Sequence, residues 1–490
     1  MALNLVRNSK VFFTTNVETS TGVIKASSSQ AFSATNTYEI QVLDGFTFSQ
    51  NLNNETVTIS EAGVSPTRGQ RSFNTSLAPV DFSFSTYIRP KNATSKITAE
   101  ESVLWNALLS ASPIATPTSL AAVTGVTVSA AGLVTIAGTA ITGTLPTVGT
   151  YIVLSGVSAT TPAGYDKYVN SVGKVVTSAV SGITVQLVNF NPTAITATTL
   201  VTASTVKYGV AAWSESTTTY SQATTGLSDK NQLQAFGMLF LVDNVLYAVD
   251  NCALNQVTVD FGLDQIATAQ WTGQATVLRQ FATGVTATSG TFSGGAAADV
   301  GSGTYQAKTT DGAYITNKLS TVDLKAVKAI GTSIAANDVY ALPLTGGSIS
   351  INNNITYITP ANLGIVNTAV TYYTGTRAIS GNLTAYLRTG TSGETGELLK
   401  DMLAETANAI EPMFALSINV GGSAPATGSS NRVVFEMPSV TIGVPTVDVQ
   451  QVVSTSIAFT AQGYAPNATA ANNVFDLTNP SDLLVRYYAA

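Results

Sequence analysis

Hydrophobic and polar residues alternate with a period of two along most of this chain. Val257, Val259 and Phe261 are separated by Thr258 and Asp260, and Ile349 and Ile351 sit between Ser348, Ser350 and Asn352. The run Val433–Met437 has the same β-branched and aromatic character. Such alternation predicts strands with one buried and one wetted face. Turn signals punctuate it at Asp44–Gly45, Gly346–Gly347, Gly421–Gly422 and Ala465–Pro466. Helical spacing stands out only near 100–110 and 394–408. In the second stretch Leu398, Leu399, Met402 and Leu403 form one stripe, which predicts an amphipathic helix lying on a sheet. The expected fold class is mainly β.

The pattern is also written twice. Tyr38–Phe48 is echoed by Tyr340–Ser350, and Ser85–Arg89 by Thr384–Arg388. A helical stretch follows each, and Val257–Val259 and Trp271–Gln274 are then answered by Val440–Ile442 and Phe459–Gln462. Matches kept in order across two halves predict a duplicated domain, and internal pseudo-symmetry is a means of assembly. The first copy is expected at 1–114 and 207–282, and the second at 313–490. Residues 115–206, which alternate cleanly around few charges, read as a small β-domain inserted in a surface loop. The Gly- and Ser-rich stretch 283–312 reads as a linker. The polar segments 14–37 and 49–80 read as loops that order on docking to a neighbour.

Composition narrows the function. Only 10% of the 490 residues are Asp, Glu, Lys or Arg, against roughly 25% in an average domain. The net charge of -6 argues against a nucleic-acid binder, yet suits a surface past which DNA slides without sticking. There is no histidine, which removes the commonest general base, and Cys252 is the single cysteine. Cys252 reads as a small buried hydrophobe. The N-terminal segment lacks a signal-peptide run, and no stretch approaches the roughly 18 apolar residues of a membrane span. A soluble chain made in a cytoplasm, with no membrane insertion, is the expectation.

No catalytic pattern survives inspection. Ser171 and Lys174 fit a bare Ser-x-x-Lys spacing, which reads as a strand end. Glu61 and Asp81 lack the aromatic platforms of a sugar site. Asn352, Asn353 and Asn354 lack the carboxylates of a calcium loop and suit turn and cap duty. The reading is of a non-enzyme with no metal and no cofactor. Tyr87, Arg89, Tyr386 and Arg388 recur at equivalent strand ends, and are candidate subunit-contact positions. An arginine packing on an aromatic ring is the plainer alternative for the two cations.

These residues carry a resemblance. Leu5–Phe12, Ser60–Gly63, Pro66–Gly69, Arg71–Leu77 and Phe82–Pro90 in the first half resemble the major tail-tube proteins of long, non-contractile siphophage tails. Tyr314–Leu319, Leu344–Pro360 and Leu383–Leu387 continue it in the second, and the resemblance is in particular to the duplicated kind of the coliphage T-five group. The resemblance implies two tandem tail-tube β-sandwich domains, each with a flanking α-helix, beside the inserted β-domain. It implies homotrimeric, pseudo-hexameric rings that stack into a hollow tube conducting the genome into the host. The implied partners are further copies of the chain, the tape measure, terminator and distal tail proteins, and viral DNA passing without specific binding. The implied location is the virion tail, with the host cytoplasm during assembly. With Ala490 following soon after the second tube domain, an immunoglobulin-like C-terminal decoration is not expected, and the insert is the candidate outward decoration. The rival from another class is a secreted or surface-displayed β-rich adhesin, which shares the Thr-rich, low-charge composition.

Overall fold

The computed structural model describes residues 9–18, 21–25, 31–57, 71–93, 96–109, 118–129, 132–148, 151–157, 169, 172–187, 198–200, 206–208, 212–214, 233–263, 265–294, 303–308, 313–326, 329–335, 338–389, 393–405, 413–421, 431–449, 452–462 and 482–488. The fold is mainly β. The first half runs β1 (Lys10–Thr14), β2 (Thr37–Ile40), β3 (Val42–Val57), β4 (Arg71–Tyr87), α1 (Ser102–Leu109), β5 (Phe236–Val242), β6 (Val245–Asp260), β7 (Thr268–Ala275) and β8 (Val277–Thr283). The second runs β9 (Thr321–Ala326), β10 (Val339–Leu342), β11 (Leu344–Asn352), β12 (Ala378–Tyr386), α2 (Thr395–Glu405), β13 (Met413–Val420), β14 (Arg432–Ile442), β15 (Thr446–Asp448), β16 (Ser454–Ala461) and β17 (Leu484–Tyr488).

The antiparallel pairings of the two halves agree strand for strand. In the first, β1 joins β2 and β5, β5 joins β6, β6 joins β7 and β8, β7 joins β4, and β4 joins β3. In the second, β9 joins β10 and β13, β13 joins β14, β14 joins β16 and β17, β16 joins β12, and β12 joins β11. β15 continues the edge of β14 along β16.

Register refines the sequence matches. Tyr38 lies opposite Phe13 and Tyr340 opposite Leu324, so those two tyrosines are true counterparts. With Tyr87 and Tyr386 aligned, Phe82 corresponds to Gly381, and their cross-strand partners are Gly273 and Phe459. Phe459 therefore answers Gly273 rather than Trp271. A Cβ on Gly273 would lie 2.3 Å from Phe82 Cζ, and one on Gly381 would lie 2.4 Å from Phe459 Cζ. Both halves lay an aromatic ring over a glycine, with the partners exchanged. Thr258–Asp260 faces Gln270–Thr268 just as Thr446–Asp448 faces Ser456–Ser454. The counterpart of Thr258, Val259 and Asp260 is thus Thr446, Val447 and Asp448, not the segment at 440–442. The Trp271–Phe459 match is two residues out, a slip that preserves the inward face, so alternation alone could not exclude it.

The halves share one core. Trp105 on α1 packs edge-on to Trp271 at 5.1 Å and against Phe435 of the second half at 6.3 Å. Its Nε1–H also lies 2.8 Å from the Tyr487 hydroxyl. Buried Glu101, just before α1, accepts hydrogen bonds from the Tyr487 hydroxyl and from Trp105 Nε1. Burial pushes its carboxyl up to about 7, against the opposing pull of those donors. Asn353 crosses between the halves too, donating from Nδ2 to the carbonyls of Leu108 (2.9 Å) and Leu254 (3.2 Å). Asn352 Oδ1 meanwhile accepts from the Asn354 amide at 2.8 Å, a turn contact.

Strands within 118–208 form a separate eight-stranded sheet. Its core, which includes Val126, Ile136, Ile152 and Val185, shares no residue with the main one. Three local expectations are corrected. Within 49–80, residues 49–57 and 71–80 extend the β3–β4 hairpin instead of forming loops; polar residues there alternate on a ribbon exposed on both faces. The stretch 283–312 contains a hairpin, Thr286–Thr288 with Thr291–Ser293, and Phe292 and Tyr305 are buried beside Phe12. The α2 stripe is rotated: Leu398, Asp401, Met402 and Glu405 are buried, whereas Leu403 is 59% exposed. Asp401 accepts from the Tyr340 hydroxyl at 3.0 Å, and Glu405 from the Thr332 and Ser333 amides at 2.9 and 2.7 Å. Those donors explain why the acids turn inward.

Candidate assembly surface

Eight strands lie side by side in the order β3, β4, β7, β6, β11, β12, β16 and the continuous β14–β15 edge. The first four come from one half and the last four from the other. They meet where Gln256–Asp260 pairs with Asn352–Ser348. On the inner face, Phe84, Trp271, Val259, Ile349, Leu383 and Ile457 are buried in the core.

The opposite face is wet and polar. Thr47 and Ser83 hydroxyls lie 2.8 Å apart, Gln256 Nε2 donates to Ser350 Oγ at 2.8 Å, and Ser456 Oγ donates to Asn382 Oδ1 at 2.7 Å. Residues 46–50, 80–87, 256–260, 268–275, 344–352, 378–386, 440–448 and 454–461 hold three acids, Asp81, Asp260 and Asp448, and no lysine or arginine. Asp81 accepts from Gln274 Nε2 at 3.0 Å. Electrostatically the face is a hydroxyl and amide lawn with sparse negative charge. Such a face repels a polyanion weakly and offers it no ion pair.

The recurring Tyr and Arg positions sit at one end of these strands. Tyr87 is half-buried, with its ring edge-on to Tyr314 at 5.2 Å. Arg89 is 3% exposed, donates to Gln41 Oε1, and stacks over Tyr314 at 5.2 Å. Tyr386 is 46% exposed, and Arg388 forms an exposed ion pair with Glu394 at 3.6 Å. The two arginines therefore differ, one engaged inside the chain and the other on the surface. Asp81 lies on the polar face, while Glu61 and Ser171 fall outside the described residues. Cys252 is buried, its Sγ 3.1 Å from the Val249 carbonyl, and burial pushes its thiol up. Among the described residues no group of acidic, histidine or cysteine side chains could hold a metal ion, and no helix is long and apolar enough to cross a membrane.

No family model matches the chain. Over 464 residues it is 26% identical to the tail tube protein pb6 of Escherichia phage T5, a match covering 94% of this chain and 73% of that protein. The comparison supports a T5-like tail-tube protein. The likeness spans both halves, which agrees with the pairing scheme that each repeats. A tail-tube protein is a structural component of the virion tail, and its partners are its own copies and other tail proteins. Sequence reasoning found the repeat but not the polar face, because Ser and Thr are everywhere in this chain. The recurring Thr-Val-Asp at 258–260 and 446–448 was the available signal.

Proposed function

We propose that copies of this chain close head-to-tail into rings, and that the rings stack into a hollow tube whose polar face lines a channel for the genome. The observation that carries the reading is the eight-stranded array: two equivalent halves joined in the middle, with an edge at each end that no strand joins among the described residues. A sheet built this way continues indefinitely or closes, and closure removes the exposed edges.

Three copies, the number the family resemblance implies, would contribute about 24 strands. At ~4.8 Å spacing and ~40° tilt that gives a backbone cylinder on the order of 45–50 Å across. Two copies would give roughly 30 Å, a porin-sized barrel of about 16 strands whose channel would be much narrower. The role is structural rather than enzymatic, the acids on the wall keeping DNA mobile. In this reading 1–114 with 207–282, and 313–490, are the two tube domains, 283–312 connects them, and 115–206 is an outward decoration. Tyr386 and Arg388, being exposed, are the better placed of the four candidate contact positions.

Electron microscopy of the concentrated chain tests this. Hollow threefold rings or filaments are expected; a persistently monomeric, globular particle would refute the proposal.

A further inference from the structure

The junction inside the chain is a template for the junction between chains. Where the halves meet, Thr258 pairs with Ser350, Val259 with Ile349 and Asp260 with Ser348. The next pair, Phe261 and Gly347, exchanges both backbone hydrogen bonds, at 3.0 and 3.2 Å. Each strand of this junction has a counterpart whose matching edge has no strand beside it among the described residues. Thr446–Asp448 stands for Thr258–Asp260, since both runs face equivalent positions on β16 and β7. Thr47–Ser49 stands for Ser348–Ser350: Thr47 faces Ser83 and Ser348 faces Asn382, each four residues before the aligned Tyr87 and Tyr386.

Exposure marks the same sites as incomplete. Val259 is fully buried, yet its counterpart Val447 is 43% exposed. Phe261 is 2% exposed, whereas Val449, next along that strand, is 79% exposed. Ile349 is fully buried, and its counterpart Phe48 is only half-buried.

We propose that the β15 edge of one copy pairs antiparallel with the β3 edge of a second copy, with Thr446 opposite Ser49, Val447 opposite Phe48 and Asp448 opposite Thr47. This rests on the reading of the chain as a self-assembling subunit and adds the segment, the direction and the register. Val447 and Phe48 then turn toward the core side, while Thr446, Ser49, Asp448 and Thr47 extend the polar face without interruption. Because Phe261 and Gly347 form a hydrogen-bonded pair, alternation makes Thr258–Ser350 a non-hydrogen-bonded one. Thr446–Ser49 inherits that geometry, with Cα atoms ~4.5 Å apart and side chains close enough for a disulfide.

Cysteine cross-linking of the full chain tests the register, with buried Cys252 as a silent background. Under oxidation, T446C/S49C should give covalent multimers. T446C/T47C, displaced by two residues to ~7–8 Å, should give about tenfold less. Neither single variant should cross-link, and electron microscopy of the reduced variants checks that they still assemble. Tubes that form while T446C/S49C stays unlinked, or links no better than the displaced pair, would overturn the register and leave the tube reading standing. A reduced, folded chain that never assembles would overturn both.

Discussion

Glu101 gives the sharpest handle on how the two halves are held together. Its carboxyl is buried between α1 and the last described strand of the chain, where Tyr487 and Trp105 donate to it. Its pKa is raised from 4.5 to about 7 by burial, which outweighs the donors. On unfolding the group returns to its ordinary value. Between those two values the folded state holds a proton that the unfolded state has released, so stability falls as pH rises through the window and levels off above about 7. From about pH 5 to about pH 8 the loss from this one group comes to about 2–3 kcal/mol. Glu101→Gln keeps an oxygen that can accept from Tyr487 and Trp105 and removes the titration. The measurement is denaturant unfolding of wild type and variant at both pH values, followed by tryptophan fluorescence, since Trp105 lies in the cluster. Other titrating groups cancel in the difference between the two proteins. The variant should lose less stability than wild type on going to the higher pH, by about 2 kcal/mol. Identical pH slopes would refute the assignment.

Two further outcomes follow from packing and topology. Gly381→Ala places a methyl 2.2 Å from the Ser348 carbonyl and against the Phe459 ring, and should cost about 1–3 kcal/mol in chemical denaturation. Gly125→Ala, which meets nothing within 4 Å, should stay within about 0.5 kcal/mol of wild type; equal effects would contradict the packing account. Deleting 115–206 removes a sheet with its own core, so rings should still be seen by electron microscopy, and their loss would make the insert architectural.

Parts of the fold could be read in the sequence for definite reasons. Tyr38 and Tyr340 were paired correctly because each opens a strand at the same step from a turn. Cys252 was expected to be buried, and it is. The match of Trp271 to Phe459, whose counterpart is Gly273, shows the limit. In a chain rich in Val, Ile and Thr, several segments two residues apart alternate equally well, and only the cross-strand partner separates them. Leu403 was assigned to the buried stripe of α2 because it is apolar. It faces out because Asp401 and Glu405 find donors inside, on strands and turns about 60 and 70 residues away in sequence. Arg89 and Arg388 look alike as letters. They differ because Tyr314 and Gln41 happen to stand beside one and not the other.

By itself, then, the order of residues determined the strand-rich class and the doubling of the chain, both of which depend on local composition and period. Tertiary structure alone decided which faces point together, that the halves join through Gln256–Asp260 and Ser348–Asn352, and which edges have no strand beside them among the described residues. The physical reason is that a backbone edge is satisfied or open according to what lies about 4.8 Å to its side. That neighbour is chosen by the whole fold and is not encoded in the strand that meets it.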